Sequence, residues 1–336
     1  MRVHRRTTMN TTIVERSPHT VILWKFSLDE GRIILLWIFT SFAFLSLLLN
    51  AGIITSCASR RFHKPMLLYI SISSLADACW GIVGISCVLS NTIAHRIEIT
   101  FVECLWQMFC LEFALVHQFL STWIMYVDRH CAVFWPYTYV ALMANRRGAL
   151  KLVLLMEILA VFLSISYPVV TLYIEFCNDS VIVPDSTCLF TTVARSSCEN
   201  SSIASASIVV LFSFVFGLTG FTALYSTCCI IWKCRNSSKE SNVKALHTCL
   251  TQLMVTSVQF VTCIVIMVMK NILKRPADGL FLDLFAIVTP GTINPLIFGF
   301  RTQEIRVVVM NTFHPLWIKF STMIKHPLSW NYFLKQ

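Results

Sequence analysis

The chain has 336 residues, of which 56% are hydrophobic and 13% charged, and its mean hydropathy is +0.69. This composition excludes an ordinary soluble domain, in which about a quarter of the residues are charged. The formal net charge of +10 favours basic residues at a membrane surface over a nucleic-acid footprint, because lysine and arginine lie between long apolar segments. We therefore expect a lipid bilayer and no nucleic acid as a partner.

Seven apolar segments are long enough to cross a bilayer as helices, which requires about 20 residues each. None of them contains lysine or arginine. In chain order, the predicted spans are Ile33–Cys57, Met66–Ser90, Cys104–Val127, Leu152–Tyr173, Ile203–Trp232, Ala245–Met269 and Leu280–Phe300. The pattern predicts an all-α, seven-transmembrane helix bundle at 33–300, with an amino-terminal segment at 1–32 and a helix 8 and tail at 301–336.

The distribution of basic residues predicts the orientation of this bundle. Lysine and arginine are more numerous after the first, third and fifth spans and in the tail than in the remaining connections. Since cytoplasmic loops carry this excess, we expect an extracellular amino terminus and a cytoplasmic carboxyl terminus in the plasma membrane. Asn10 and Asn178 then begin glycosylation sequons on the outer side.

A charged pair, Asp128 and Arg129, ends the third predicted span. A guanidinium in hydrocarbon costs at least about 3 kcal/mol, so Arg129 is stable only at an interface or with a partner. At the cytoplasmic end of a bundle, Asp128 can restrain Arg129 in one state and release it toward an intracellular protein in another. The pair therefore predicts a switch.

Asp77 lies in the middle of the second span and is expected to face the interior of the bundle. Its candidate partners are Asn50, Gln118 and Asn294 on three other spans. This set predicts a structural hydrogen-bond network, a site for a sodium-like ion, or both.

Other polar residues within the spans have two interpretations. Glu112, His117 and Asp283 could line a ligand pocket or form plain hydrogen bonds between helices. Glu157, near the inner end of the fourth span, is expected to pair with Lys151 or to extend toward the membrane surface.

The sequence contains no zinc-binding His-Glu-x-x-His motif and no phosphate-binding Gly-Lys-Ser/Thr loop, so we expect no enzymatic activity, cofactor or metal. A transporter or channel is an alternative class. Such proteins often consist of two similar halves, and no similarity between the halves is visible here.

Four cysteines, at positions 104, 177, 188 and 198, lie on the predicted outer side, where disulfides form. The sequence alone permits three pairings among them. The fifth and sixth spans contain no proline, whereas the seventh contains Pro290 and Pro295.

Several motifs resemble those of rhodopsin-like (class A) G-protein-coupled receptors and, within them, the odorant receptors, most of all those of fishes. The similarity covers about 50–306. It is carried by Lys64-Pro65-Met66, Leu75-Ala76-Asp77, Gln107-Met108-Phe109, Met125-Tyr126-Val127-Asp128-Arg129-His130, Lys244-Ala245-Leu246-His247-Thr248-Cys249, Pro290 and Asn294-Pro295-Leu296-Ile297-Phe298.

This resemblance implies a receptor that binds a small odorant in the extracellular half of the bundle and activates a heterotrimeric stimulatory (olfactory) G protein, leading to cyclic AMP. It also implies the disulfides Cys104–Cys188 and Cys177–Cys198. The implied switch residues are Asp128, Arg129, His130, Tyr225, Asn294, Pro295 and Phe298. The implied ligand-binding residues are Glu112, Leu115, Val116, Phe260 and Asp283.

The chain departs from the family pattern at three positions. His130 and Phe298 each replace a tyrosine, and Gln118 stands where glutamate is common. In related receptors the tyrosine at 298 meets the counterpart of Tyr225 through water, which phenylalanine cannot do. Leu111 stands where amine receptors carry an aspartate, which disfavours amine recognition of that kind. A receptor of the same fold for a non-odorant ligand is the alternative.

Overall fold

The computed structural model describes residues 18, 20–23, 30–59, 65–93, 98–176, 180–183, 187–194, 196, 202–235, 240–273, 276–302 and 305–307. Within these ranges the chain forms nine helices and three short strands. They are β1 (Thr20–Leu23), α1 (Glu30–Ser59), α2 (Pro65–Ile93), β2 (Glu98–Thr100), α3 (Phe101–Phe134), α4 (Pro136–Leu142), α5 (Arg146–Thr171), β3 (Ser180–Val183), α6 (Phe190–Ala194), α7 (Ser202–Arg235), α8 (Glu240–Leu273) and α9 (Pro276–Arg301). Asn10, Cys177, Asn178 and Cys198 lie outside the described residues, as does most of the predicted helix 8 and tail.

Seven of these helices, α1, α2, α3, α5, α7, α8 and α9, are long and apolar enough to cross a membrane. The predicted seven-helix bundle is confirmed, and each predicted span lies within its helix except that α5 ends at Thr171 instead of Tyr173. Most helices are longer than the spans because apolar length measures only the hydrocarbon core. We call the end at which α3 begins the outer end and the opposite one the inner end, after the predicted orientation.

A three-stranded sheet covers the outer end. β1 is its central strand and pairs antiparallel with β2 and parallel with β3. Side chains alternate between the two faces of a strand, and the buried face carries Val21, Leu23, Ile99, Val181 and Val183. These side chains join one apolar cluster with the first turns of α3 and with α6. The sheet was not predicted from the sequence, because strands of three or four residues are too short to show a period.

The helix α3 is central and packs against α2, α5, α7 and α8. It begins with a capping box, in which the Thr100 hydroxyl accepts the Glu103 N–H at 3.2 Å and the Glu103 carboxylate accepts the Thr100 N–H at 2.9 Å. A Cys104–Cys188 disulfide joins its first turn to the chain between β3 and α6. The outer end of α3 is therefore fixed both covalently and by capping.

Candidate functional site

The Asp128–Arg129 pair lies in the last turns of α3, at the inner end. Arg129 Nε is 3.5 Å from Asp128 Oδ2, and the Asp128 side chain is only 1% exposed. The other carboxylate oxygen, Oδ1, accepts a 3.0 Å hydrogen bond from the Tyr139 hydroxyl in α4. The carboxylate is thus held between a cation on its own helix and a neutral donor on the next.

Tyr139 is a site residue that was not predicted from the sequence. Burial and the Asp128 carboxylate raise the pKa of its phenol, so the hydroxyl keeps its proton and remains a donor at neutral pH. Pro136 at the start of α4 was an available signal, because proline favours the first helical position. It would have placed Tyr139 in the first turn of a helix beside the Asp128–Arg129 pair.

His130 lies in an aromatic environment at the same end of α3. Its ring centroid is 4.6 Å from that of Phe134, 5.5 Å from that of Trp135 and 5.5 Å from that of Tyr225 on α7. Phe298, by contrast, is buried in the main apolar cluster with residues such as Ile53. The structure therefore brings Tyr225 to His130 and places Phe298 in the core.

Asp77, Gln118, Asn294 and Asn50 are all buried and form hydrogen bonds at the centre of the bundle. The Asp77 carboxylate accepts hydrogen bonds from Gln118 Nε2 and, at 3.0 Å, from Asn294 Nδ2. A second carboxylate at 118 would repel Asp77, whereas the glutamine amide can donate to it. The expected hydrogen bonds from Gln118 and Asn294 to Asp77 are present, and occupation of this site by an ion stays a prediction.

Asn50 reaches the backbone of α9 and not the Asp77 carboxylate. Its Nδ2 donates to the Gly291 carbonyl at 2.8 Å and to the Ser46 carbonyl at 2.9 Å. Pro295 lies four residues after Gly291 within α9 and has no N–H to donate to that carbonyl. Pro295 thus leaves an acceptor that Asn50 uses to join α1 to α9.

A row of hydrogen bonds joins the inner halves of α3 and α8. Thr122 Oγ1 donates to Gln259 Oε1 at 3.1 Å, and the hydroxyls of Tyr126 and Thr256 are 3.0 Å apart. Gln252 Nε2 also donates to the Met125 carbonyl at 3.4 Å. The α8 residues 252, 256 and 259 follow the spacing of one helix face, a signal that the sequence analysis did not use.

Only some of the predicted ligand-binding residues lie at a common cavity. Leu115 and Val116 line a small cavity of about 10 Å³ together with Phe119, Tyr167, Phe212, Val215 and Phe216, room for about one water. Phe260 packs beside it, with its ring centroid 4.0 Å from that of Phe216 and 5.6 Å from that of Phe119. Glu112 and Asp283 are buried but are not among the residues that line this cavity.

Glu157 does not follow the expectation of a pair with Lys151. Its Oε1 lies 2.9 Å from His117 Nε2 on α3, although the two atoms are not aligned as a hydrogen bond. Residues six positions apart project from different sides of a helix, so Glu157 and Lys151 do not face each other. The expectation was wrong because it considered charge without helical spacing.

A family profile and several known proteins similar to this chain all point to the same family. A family profile described as "Olfactory receptor" matches residues 39–315. The chain is 29% identical to olfactory receptor 4E2 of Mus musculus over 265 residues, which cover 76% of this chain and 82% of that receptor. It is 27% identical to olfactory receptor 4E2 of Homo sapiens over 291 residues, covering 83% and 89% of the two chains. Olfactory receptor 4Q2 of Homo sapiens is 25% identical over 279 residues, covering 80% and 84%.

Proposed function

The chain belongs to the olfactory receptor family and is an odorant-sensing multi-pass receptor of the cell surface, and from this premise we propose how it recognises and transmits a signal. A small odorant binds at the cavity between α3, α5 and α7. The inner end then activates a heterotrimeric stimulatory G protein of the olfactory type.

The lining of the cavity favours a small and mostly apolar odorant. Aromatic and aliphatic side chains surround it, and its volume of about 10 Å³ is far below that of a typical ligand pocket, about 300 Å³ or more. A ligand therefore has to displace side chains, and Phe216 and Phe260, which pack ring against ring, are the ones we expect to move. Glu112 is buried one turn before the cavity residues Leu115 and Val116 on α3, so it is a group that could act on a polar ligand.

One observation connects this cavity to the inner end. Phe260 contacts the cavity residues Phe119 and Phe216, and the next residue along α8, Gln259, bonds to Thr122. Displacing Phe260 therefore strains the row of hydrogen bonds that holds α8 against α3. We expect the inner half of α8 to move away, Arg129 to leave Asp128, and a G-protein segment to enter the opening.

The ligand changes this equilibrium only by the difference between its affinities for the two arrangements. An odorant that fills the enlarged cavity binds the active arrangement more tightly, because the closed one has no room for it. Occupancy of the outer half is thereby coupled to the inner end without a contact between the ligand and Arg129.

The test compares two phenylalanine substitutions on α7. Phe216 lines the cavity, whereas Phe214 is exposed on the surface of the same helix. Cells expressing each variant with receptor chaperones are assayed for cyclic AMP against an odorant panel. Phe216→Ala should shift the half-maximal concentration of every active odorant by about tenfold or more, and Phe214→Ala should leave it unchanged at equal surface expression. Equal responses from both variants would place the odorant elsewhere.

A further inference from the structure

A second and larger cleft of about 390 Å³ lies at the inner end, between α3 and α7. Its walls include His130, Phe134 and Trp135 from the end of α3 and Tyr225 and Ser226 from α7. The residues that line it differ from those of the odorant cavity, and neither Asp128 nor Arg129 is among them. It is large enough to hold most of a drug-sized molecule.

The cleft borders the membrane-facing side of α7. Phe221 and Leu224 on this helix are 71% and 64% exposed, and the cleft residue Tyr225 is 54% exposed. In a helix that spans a membrane, exposed apolar side chains of this kind face lipid. A molecule dissolved in the bilayer can therefore enter the cleft from the side.

Two of the residues that line the cleft each carry a buried polar atom that has no hydrogen-bond partner. These atoms are the Ser226 hydroxyl oxygen and His130 Nδ1, and the Ser226 side chain is fully buried. Buried polar atoms in proteins are normally paired. A single hydroxyl group placed between them could accept from Ser226 and donate to His130, or the reverse, so it fits either tautomer of the imidazole.

The remaining walls favour a rigid apolar body and not an anionic headgroup. The rings of Phe134, Trp135 and Tyr225 surround His130 and provide broad apolar faces. The nearest described cation on α7, Lys233, is already engaged: its Nζ donates to the Val133 carbonyl at 2.6 Å and lies 4.7 Å from the Phe134 ring centroid. The two unpaired atoms in the cleft belong to a hydroxyl and an imidazole, neither of which carries a permanent charge.

We propose that this cleft binds a membrane sterol. The sterol hydroxyl lies between Ser226 and His130, and the fused rings pack against Phe134, Trp135 and Tyr225. His130 directly follows Arg129 near the inner end of α3, close to the inner membrane interface, where a sterol in the cytoplasmic leaflet carries its hydroxyl. The bound sterol joins the last turns of α3 to α7 at a site separate from that of the odorant.

The experiment uses the full chain in lipid nanodiscs with a photoreactive cholesterol analogue. Cross-links should concentrate on peptides 127–135 and 222–229, and excess unlabelled cholesterol should remove them. A sterol without the hydroxyl, or an anionic phospholipid, should compete at least about fivefold more weakly. These measurements need no variant of the receptor.

Matched serine substitutions on α7 provide the second arm. Ser226→Ala removes the buried hydroxyl in the cleft, whereas Ser213→Ala removes an exposed one. The first should weaken cholesterol competition about fivefold, as should His130→Phe, which keeps an aromatic ring, and Ser213→Ala should not. Labelling spread evenly over the membrane-facing surface, or equal competition by the hydroxyl-free sterol, would overturn the proposal.

Discussion

At the outer end, the start of α3 is held by the Cys104–Cys188 disulfide, by a reciprocal capping box and by a three-stranded sheet. At the inner end, the Asp128–Arg129 pair depends on one hydrogen bond from Tyr139 and on an ion contact of 3.5 Å. Asp128 Oδ2, Arg129 Nε and His130 Nδ1 are buried there without hydrogen-bond partners.

This difference indicates a division of roles within one bundle. A covalently closed and apolar outer end can keep its shape while the helices below it move. An inner end whose buried polar atoms lack hydrogen bonds has few such bonds to lose in a rearrangement, and new partners can satisfy those atoms. Such an arrangement allows two receptor states whose free energies differ by only a few kcal/mol.

The largest expected effect comes from opening the outer end. Cys188→Ser removes a crosslink between residues 84 positions apart, and loss of a native disulfide typically costs about 2–5 kcal/mol. We expect surface expression, measured by flow cytometry with an amino-terminal tag, to be nearly abolished.

Cys228→Ser is the matched control, because Cys228 is exposed and carries no disulfide. It should express normally. Undiminished surface expression of Cys188→Ser would show that the outer end does not depend on its crosslink, and the contrast between the two ends would lose its main support.

A smaller effect is expected from the hydrogen bonds between α3 and α8. Tyr126→Phe removes the hydroxyl that faces Thr256, and one such bond contributes roughly 1 kcal/mol. Basal cyclic AMP, normalised to surface expression, should rise about fivefold because the closed arrangement loses a bond that the open one does not make. Tyr137→Phe, at a position 91% exposed, should leave it unchanged; an identical basal level in both would remove these bonds from the switch.

The sequence was sufficient for those parts of the fold that depend on apolar length. All seven spans were found because a helix in hydrocarbon must be apolar over about 20 residues. Two of the three predicted partners of Asp77 were also identified, since Gln118 and Asn294 have few other reasons to lie within spans; the third, Asn50, bonds to the Gly291 carbonyl instead. The choice of Cys188 as the partner of Cys104, however, required the family resemblance, because three pairings were open.

Contacts that depend on how distant parts of the chain are brought together could not be predicted from the sequence. Val21 and Ile99 are far apart in the chain, and their pairing in the outer sheet depends on how the helices bring the loops together. Tyr139 and Asp128 meet through the turn between α3 and α4. Glu157 was assigned to Lys151 by charge, although the helix turns it toward His117.

The central claim is that Asp128 restrains Arg129 until the receptor is activated. Its most direct test is basal cyclic AMP in cells that express Asp128→Asn, normalised to surface expression. The amide keeps the shape of the side chain and an oxygen for Tyr139 but loses the charge that holds Arg129. We predict that basal cyclic AMP in the Asp128→Asn variant is roughly threefold or more above that of the unsubstituted chain. In the double variant, Asp128→Asn with Arg129→Ala, we predict that it returns to the level of the unsubstituted chain or falls below it. No rise in the single variant, or a full signal in the double variant, would contradict the account.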